Sequence, residues 1–300
     1  ASGAPESVDK MILLDAVTPA ERSEDLDARV EIVSSDISDR DQVMQLITGN
    51  SLSVFHFASV VSAGAEQDFD LALKVNLDGG LNVLEAARAA PSQPRVVFTS
   101  SLAVFGGSAL PDTVSDDTKI TPMTTYGMTK AVNELLLNDY TRKGFIDGRG
   151  ARLPTVIIRP GKPNKAASGF ASGLFREPLS GTDYELPVSN ETRMAVSGYR
   201  TIIDGILALH EADSEAVGDD RSINLPSISV TVADMIEGLH RVAGNRTLGQ
   251  IIAKPDPSIQ AICNGWPGRE LAPRALALDL PVDKDLDSII RAYIEDYADA

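Results

Sequence analysis

The sequence predicts a doubly wound α/β fold, in which a parallel sheet carries helices on both faces, with a smaller C-terminal lobe. Apolar runs rich in Val and Ile recur along the chain, and each ends in small or polar residues. Segments with apolar residues at helical spacing separate these runs. Strands that alternate with helices are typical of a parallel sheet with helices packed on it. The periodicity weakens after Pro226, which indicates the smaller lobe.

Length and charge limit the class of protein. The 300 residues exceed the ~100–200 of an average domain, so a main domain with a smaller partner is expected. A net charge of −16 disfavours binding to nucleic acid or to anionic membrane surfaces. No apolar stretch reaches the ~18 residues of a membrane span, no leader opens the chain, and the single cysteine fits a reducing compartment. We therefore expect a soluble, cytoplasmic protein whose three histidines and one cysteine bind no metal.

The first two predicted strands end in acidic residues. Residues 10–15 form an apolar run that ends at Asp15. Residues 30–37 form another, with Asp36 and Ile37 at its carboxyl end, where an adenine would lie. In a dinucleotide-binding fold, an acid at the end of the second strand binds the adenosine ribose and disfavours a 2′-phosphate. Residues 10–15 look like the second strand of such a fold, and Asp15 then predicts NAD rather than NADP. The alternative is that Asp15 only ends a strand.

The third predicted strand, residues 53–59, ends in small residues. Ala58 and Ser59 stand at its exit, where they let a cofactor approach the backbone closely. His56 lies inside the apolar run, so we expect a buried core histidine rather than a catalytic one.

One helix is predicted before this strand in the chain, and another is predicted after it. Residues 38–47 form the first, with Ser38 and Asp41 at the spacing of a capping box. Residues 71–89 form the second, and Asn76 lies inside it. Because a buried Asn is costly unless it is hydrogen-bonded, we expect Asn76 to order a water or a backbone group near the site.

Two further strands are predicted in the main sheet. Residues 95–101 end in hydroxyl side chains, among them Thr99 and Ser101. Residues 155–160 form the last strong core strand and end at Pro160. The stretch after Pro160 is rich in Gly, Pro and small residues, which favours a functional loop over a longer strand.

The rest of the chain divides between the two expected units. A helix at 198–212 and a short strand at 222–225 are predicted to return to the main sheet. We expect an NAD-binding domain at residues 1–160, to which 195–225 return, and a substrate lobe at 161–194 and 226–300.

Tyr126 and Lys130 stand four residues apart at the start of a helix that is predicted to run to about residue 143. This spacing puts both side chains on one helix face, so both can point at one bound molecule. A tyrosine hydroxyl titrates near pKa ~10, but a nearby ammonium favours the phenolate and lowers the pKa. Tyr126 could then act as a general base near neutral pH. A Tyr-x-x-x-Lys pair alone is also compatible with a half-buried tyrosine and a solvated lysine.

The predicted strand ends favour the catalytic interpretation of this pair. In a doubly wound sheet, ligands bind beyond the carboxyl ends of the strands. Five strand ends point to one crevice beside the tyrosine, namely those at Asp15, Asp36, Ser59, Ser101 and Pro160. This joint arrangement is far more specific than any of its parts.

Several motifs resemble the extended short-chain dehydrogenase/reductase superfamily, and the resemblance covers almost the whole chain. The matching pieces are His56-Phe57-Ala58, Asn76, Thr99-Ser100-Ser101-Leu102-Ala103-Val104-Phe105-Gly106, Tyr126-x-x-x-Lys130 and Arg159-Pro160-Gly161. Longer runs are most similar to D-erythronate dehydrogenases, at residues 159–170, 176–179, 266–267 and 289–296. The resemblance implies a Rossmann-type fold and NAD-dependent oxidation of the 2-hydroxyl of a small sugar acid to a ketone.

The resemblance also implies a Ser/Tyr/Lys mechanism. Tyr126 would take the proton from the substrate hydroxyl, Lys130 would lower the Tyr126 pKa and bind the nicotinamide ribose, and Ser101 would hold the substrate oxygen. The implied cofactor contacts are Asp15, Asp36, Ile37, Ala58, Ser59, Asn76, Thr99, Tyr126, Lys130 and Pro160. A homodimer that pairs the helices containing Leu71 and Tyr126 is implied in the same way.

A sugar acid carries a carboxylate, which calls for a cation in the site. Arg193 is the first candidate, ahead of Lys162 and Arg200. The candidates for binding the substrate hydroxyls are Asn164, Ser62 and Ser101.

One feature of the superfamily is absent from the sequence. The superfamily opens with a strand and a Gly-x-x-Gly-x-x-Gly turn that holds the pyrophosphate at a helix N-terminus, and no such pattern occurs here. We expect this first strand and Gly-rich turn to be missing from these 300 residues. The alternative is a degenerate, non-catalytic relative, against which the intact set of Ser101, Tyr126 and Lys130 argues.

Three alternative functions stay open at this point. A nucleotide-sugar epimerase uses the same triad but keeps NAD through its cycle, so it produces no net NADH. An L-threonine 3-dehydrogenase-like enzyme is the next alternative, because the chain also resembles that branch. A non-catalytic NAD-binding protein is the third, and for it Tyr126→Phe would change no activity.

Overall fold

The structure is a computed structural model that describes residues 7–17, 26–161 and 166–298. The strands are β1 (Met11–Asp15), β2 (Val30–Ser34), β3 (Ser53–His56), β4 (Arg95–Ser101), β5 (Asp147–Leu153), β6 (Thr155–Ile157), β7 (Tyr184–Leu186), β8 (Arg193–Gly198), β9 (Ser222–Asn224), β10 (Ile228–Thr231) and β11 (Ile251–Ala253). The α-helices are α1 (Arg40–Leu46), α2 (Ser62–Gln67), α3 (Phe69–Ala72), α4 (Gly79–Ala89), α5 (Thr125–Arg142), α6 (Phe170–Leu179), α7 (Tyr199–Glu211), α8 (Ser214–Val217), α9 (Val232–Ala243), α10 (Pro257–Asn264), α11 (Pro273–Ala277) and α12 (Leu286–Tyr293). Leu73–Asp78 and Ile294–Ala298 are π-helical, and Leu102–Val104 and Ala167–Gly169 are short 3₁₀ turns.

The main sheet has four parallel strands in the order β3-β4-β5-β9. Alternate residues of β4 face opposite sides of it, because side chains alternate along a strand. Val97 packs in one apolar cluster with α7, whereas Val96 and Phe98 pack in another with α4 and α5. Helices thus cover both faces of a parallel sheet, and the predicted α/β, Rossmann-type fold is confirmed.

A second parallel pair, β1-β2, holds the first two predicted strands. Among the described residues, β1 has a strand partner only in β2, and β3 only in β4. The expectation that a first strand and a Gly-rich turn are missing stays a prediction.

The strand next to β4 differs from the predicted one. β5 takes the central position, whereas the predicted core strand at 155–160 is the short β6, which pairs with β8 in a separate sheet of order β10-β8-β6. Two buried arginines, Arg149 and Arg152, interrupt the apolar pattern of β5. Arg149 pairs with Asp147 at 2.8 Å, and Arg152 with Glu134 at 2.8 Å, so neither charge is buried without a partner. A strand of this kind has no apolar run by which to recognise it.

The first helix begins later than predicted. Asp39 is the N-cap of α1, and its carboxylate accepts a hydrogen bond from Gln42 N at 3.2 Å. The predicted cap at Ser38 is therefore wrong, since an acid stood one residue further along with the same capping ability.

Other elements follow the prediction more closely. The predicted helix at 71–89 is present as the succession of α3, a π-helical segment and α4. The predicted helix at 198–212 is α7, and the predicted strand at 222–225 is β9. Because β9 pairs with β5, this part of the chain returns to the main sheet.

The C-terminal lobe has an apolar core of its own, to which α6, α9 and α12 contribute. Ile157 and Val196 belong to this cluster although they lie outside the predicted lobe at 161–194 and 226–300. The predicted domain boundaries stay a proposal.

Glu270 is a buried carboxylic acid in a loop of this lobe, with 9% of its surface exposed. Its Oε2 accepts a hydrogen bond from the Ser227 hydroxyl, and its Oε1 has no hydrogen-bond partner among the described residues. Burial raises the pKa of Glu270 to about 7, against the hydrogen bond from Ser227, and the neighbouring Asp116 adds to the rise.

We expect Glu270→Gln to raise the free energy of unfolding at pH 8 by roughly 2–3 kcal/mol and to change it little at pH 5. The folded pKa lies above the ordinary 4.5, so the wild type loses stability as the pH rises from about 4.5 through about 7. Glutamine cannot ionise and avoids this loss. Urea unfolding at both pH values measures the difference, with the exposed Glu237→Gln as the control. An equal change at both pH values would contradict the expectation.

Candidate active site

Helix α5 presents Tyr126 and Lys130 towards one point. Thr124 caps the helix, since its hydroxyl accepts a hydrogen bond from Gly127 N at 3.0 Å, and this cap places Tyr126 in the first turn. The Lys130 ammonium nitrogen lies 5.5 Å from the centroid of the Tyr126 ring and 4.7 Å from that of Phe98. The two side chains converge, as their spacing predicts.

Ser101, the last residue of β4, completes this group. Its hydroxyl lies close enough to the Tyr126 phenol to act on the pKa of that phenol, and it accepts a hydrogen bond from Ala103 N at 3.1 Å. The end of β4 and the start of α5 therefore bring Ser101, Tyr126 and Lys130 together.

Gly127 allows this close approach of helix and strand. A Cβ atom at Gly127 would lie 2.1 Å from the carbonyl oxygen of Ala103, far inside van der Waals contact. Only glycine lets α5 approach the turn after β4 so closely. Sequence analysis missed this residue, although a glycine inside a helix is itself a signal of a packing contact.

The acidity of Tyr126 differs from the prediction. Burial raises the pKa of the Tyr126 phenol above its ordinary value, while the nearby Ser101 hydroxyl and the charge of Arg159 oppose that rise. Burial also lowers the pKa of Lys130 to about 7, against the attraction of Glu134. An amine that is partly neutral at pH 7 stabilises a phenolate only weakly, so the predicted lowering of the Tyr126 pKa by Lys130 is wrong for this structure.

A buried polar network surrounds Lys130. Its ammonium donates to the Thr99 carbonyl oxygen at 2.7 Å. Glu134, one turn further along α5, accepts from Arg152 Nη2 at 2.8 Å and from the Ser100 hydroxyl. Because Arg152 and Ser100 hold this carboxylate, a fixed negative charge stands beside the lysine in the interior.

The ends of β1 and β2 carry two acids with different partners. Asp15 is exposed, accepts a hydrogen bond from Val17 N at 2.9 Å and has no ion pair among the described residues. Asp36 pairs with Lys74 at 2.9 Å, and its pKa is lowered to about 2 by hydrogen bonds from Ser38 and from that lysine. The free carboxylate of Asp15 is suited to ribose hydroxyls.

Asn76 orders the loop that follows β3. Its Oδ1 accepts from Val60 N at 2.7 Å and from the Ser59 hydroxyl at 3.2 Å, and its Nδ2 donates to Val60 O at 3.1 Å. The expectation that Asn76 binds a backbone group is confirmed. Contacts of Ala58, Ser59 and Asn76 with a cofactor stay predictions.

Four other predicted positions have clear surroundings. His56 is buried, its pKa is lowered to about 3 by burial and by the charge of Lys130, and it is a neutral core residue as expected. The Thr99 hydroxyl donates to His56 O at 3.2 Å, and Ile37 is buried with its carbonyl bonded to Asn82. Pro160 is exposed after β6, so its predicted place at the end of a main-sheet strand is wrong, because β5 ends at Leu153 instead.

A cavity of about 170 Å³ lies between the Ser101 and Tyr126 hydroxyls and the C-terminal lobe. Its polar lining includes Ser62, Ser101, Tyr126, Arg159, Ser168 and Arg193. No Asp or Glu lines it within the described ranges. The cavity is smaller than the ~300–1,000 Å³ of pockets for drug-sized ligands, which favours a small substrate.

The predicted substrate residues divide into three groups. Ser62, Ser101 and Arg193 line the cavity. Arg200 is not in the lining and forms ion pairs with Glu295 and Asp296. Lys162 and Asn164 lie outside the described residues. Arg159 lines the cavity but was not among the predicted cations, although the Arg159-Pro160-Gly161 motif was noted.

The sequence matches a known family over most of its length. The model of the NAD-dependent epimerase/dehydratase family covers residues 6–218. The chain belongs to the NAD-dependent epimerase/dehydratase family. It is an NAD-dependent oxidoreductase that acts on CH–OH groups, and NAD is its cofactor.

Members and structures of this family are similar over nearly the whole chain. The D-erythronate dehydrogenase of Cupriavidus necator is 47% identical over 98% of this chain and 90% of its own length. That of Haemophilus influenzae is 42% identical over 96% of this chain and 90% of its own length. The crystal structure of the nucleoside-diphosphate-sugar epimerase from Agrobacterium tumefaciens has a TM-score of 0.88 and 39% identity, and covers 99% of this chain and 86% of the epimerase.

The described residues contain neither a membrane-spanning helix nor a cluster of metal ligands. No helix of residues 7–17, 26–161 and 166–298 is long and apolar enough to cross a membrane. The same residues contain no group of three or more His, Cys, Asp or Glu placed to hold a metal ion.

We expect Asp15→Asn to lower the preference for NAD over NADP by about 10-fold in kcat/KM, because a carboxylate repels the 2′-phosphate of NADP. Initial rates with each coenzyme measure the ratio. Asp9→Asn, an exposed acid just before the same strand, is the control and should leave the ratio unchanged. An unchanged ratio in Asp15→Asn would show that this carboxylate does not select the coenzyme.

Proposed function

We propose that the protein oxidises the 2-hydroxyl of a small sugar acid such as D-erythronate to the 2-keto acid, with NAD, through Ser101, Tyr126 and Lys130. The observation that carries the proposal is one small cavity with Ser101 and Tyr126 in its wall and arginines, but no described acid, in the rest of its lining. Such a site suits a hydroxyl beside a carboxylate. The similarity to two D-erythronate dehydrogenases supports the same substrate class.

Residues of the chain itself position and remove the proton of the substrate hydroxyl. Ser101 holds the substrate hydroxyl, so that its proton points at the Tyr126 oxygen. Tyr126, as phenolate, takes that proton while the C–O bond becomes a carbonyl. NAD, when bound, would supply the acceptor for the two electrons that leave the C–H bond as hydride. The positive charge of oxidised NAD favours the phenolate, which offsets part of the effect of burial on Tyr126.

Lys130 supports both partners of this step. Its ammonium is held by the Thr99 carbonyl at the end of β4, close to the Tyr126 ring. From there it can donate to the nicotinamide ribose, and its protonated fraction attracts the phenolate. Glu134 favours the protonated form of Lys130, so the buried carboxylate serves this role indirectly.

The alternative functions are less well supported. A nucleotide-sugar epimerase needs room for a diphosphate, and the adjoining cavity of about 460 Å³ has Asp112 and Glu191 in its lining. Arg269 in that lining is already paired with Asp112 at 2.6 Å. L-threonine carries an ammonium, for which the 170 Å³ cavity offers no carboxylate among the described residues.

Incubation of the protein with NAD and D-erythronate, followed by the NADH absorbance and mass analysis of the product, tests the proposal. We expect stoichiometric NADH and 2-keto acid. No net NADH with any sugar acid, together with turnover of a UDP-sugar, would instead identify an epimerase. NADH from L-threonine alone would favour the threonine 3-dehydrogenase alternative.

We also propose a cytoplasmic homodimer that pairs the helices containing Leu71 and Tyr126. Exposed apolar side chains on α3, α4 and α5 support this surface, namely Phe69, Leu71, Leu81 and Leu135. Sedimentation equilibrium tests it, and a mass of one chain would contradict it.

A further inference from the structure

Arg159 is a partly buried arginine whose guanidinium has no described partner. Its backbone is fixed, because Arg159 N donates to the Ser172 hydroxyl at 3.1 Å and Arg159 O accepts from Arg176 Nη1 at 3.1 Å. Among the described residues, no hydrogen bond or ion pair joins its guanidinium to another group. Arg159 lines the 170 Å³ cavity.

This state of Arg159 is unusual within the protein. Every other described arginine that is at least partly buried lies within 4 Å of a carboxylate, as salt bridges at Arg95, Arg149, Arg152, Arg176, Arg221, Arg269 and Arg274 show. A buried charge without a counter-ion is costly. Since no described residue is a counter-ion for Arg159, we expect an anionic ligand to be its counter-ion.

The position of Arg159 fits the carboxylate of a 2-hydroxy acid. In such an acid the carboxylate carbon is bonded directly to the carbon that carries the reacting hydroxyl. A cation for this carboxylate must therefore lie close to the phenol. Arg159 meets the requirement, since it lines the same small cavity as Tyr126 and its charge acts on the Tyr126 phenol.

Arg193, the other arginine of the cavity, fits less well. Its side chain is exposed at the first residue of β8, and its Nη1 lies 3.4 Å from the Ser229 hydroxyl. It also lines the adjoining cavity of about 460 Å³. Arg193 is thus suited to the distal end of a substrate rather than to a group next to the reacting carbon.

We propose that Arg159 binds the substrate carboxylate and so restricts the enzyme to acids whose carboxylate adjoins the oxidised carbon. This proposal rests on the proposed function and differs from the sequence-based ranking, in which Arg193 came first. A guanidinium can form two parallel hydrogen bonds with a carboxylate, which also fixes its orientation.

The experiment compares Arg159→Met with the matched variant Arg193→Met. We expect Arg159→Met to lower kcat/KM for D-erythronate by about 30-fold or more, mainly through KM, with the KM for NAD unchanged. Arg193→Met should lose less than about 5-fold. Arg159→Lys should recover part of the loss, because it keeps the charge but not the paired hydrogen bonds. A larger loss in Arg193→Met than in Arg159→Met would overturn the proposal.

A binding measurement separates this proposal from the proposed function. Calorimetric titration of glycolate, the simplest 2-hydroxy acid, into the protein with NADH should show binding that Arg159→Met abolishes and that ethylene glycol lacks. If the wild type binds glycolate through Arg159 but oxidises no sugar acid, the function fails and the carboxylate site stands. If D-erythronate is oxidised and Arg159→Met keeps its KM, the function stands and the carboxylate site fails. Absence of both binding and turnover in the wild type overturns both.

Discussion

Tyr126→Phe is expected to lower kcat for the oxidation of D-erythronate by ~10²–10⁴-fold, the usual contribution of a general base. Phenylalanine keeps the ring that Lys130 contacts and removes only the phenol oxygen. The fold and the KM for NAD should therefore change little. Steady-state kinetics measures kcat and the KM for NAD, and a thermal unfolding curve measures the stability of the fold.

Tyr140→Phe is the matched control, since Tyr140 lies in the same helix but bonds to Glu85 instead of lining the cavity. It should keep full activity. Unchanged activity in Tyr126→Phe would remove the proposed mechanism and favour a binding protein without chemistry.

The pH dependence of the wild type follows from the same tyrosine. Burial raises the Tyr126 pKa, and oxidation requires the phenolate, so the rate of oxidation should rise as the pH rises above neutrality. The rising limb of kcat should lie at lower pH than that of kcat/KM for NAD, because kcat reports the complex that contains the positive nicotinamide. A rate that falls over this range would contradict Tyr126 as the base.

Lys130→Met is expected to lower kcat by roughly 10²-fold or more, and yet to raise the free energy of unfolding at pH 7 by on the order of 1–3 kcal/mol. The folded pKa of Lys130 is about 7, below the ordinary 10.5. Between these values the unfolded chain holds a proton that the folded chain releases, so the wild type gains stability as the pH rises from about 7 to about 10.5. Methionine removes the free-energy cost of burying the lysine charge at pH 7. The loss of the hydrogen bond to Thr99 offsets part of this gain.

Urea unfolding at pH 7 and pH 10 measures this effect, which should be smaller at pH 10. The exposed Lys143→Met, at the end of the same helix, is the control and should change neither stability nor rate. A variant that is less stable than the wild type at pH 7 would show that the lysine is retained for packing rather than for the reaction.

Much of the fold and site was predictable because local patterns carry it. The spacing of Tyr126 and Lys130 on a helix and the hydroxyl at Ser101 required no knowledge of tertiary structure. β5 was not predictable in this way, since the partners that make Arg149 and Arg152 tolerable come from Asp147 and from Glu134 in α5.

The electrostatics of the site depended on burial, which sequence spacing does not show. Lys130 was expected to acidify Tyr126, but the interior that surrounds both groups lowers the lysine pKa and raises the tyrosine pKa. Arg159 was visible only as part of a motif. Its importance comes from the absence of a partner among the described residues, which only the three-dimensional arrangement of those residues shows.

The contact between Gly127 and Ala103 limits how the enzyme can be redesigned for bulkier substrates. Backbone meets backbone there, so mutagenesis cannot widen the pocket by shifting helix α5 outward without separating the tyrosine from the serine. Extra volume has to come from the opposite wall, where Ser168, Met194 and Pro267 line the cavity with side chains that can be trimmed or exchanged. Libraries for new substrate scope should therefore vary that wall and leave the helix start untouched.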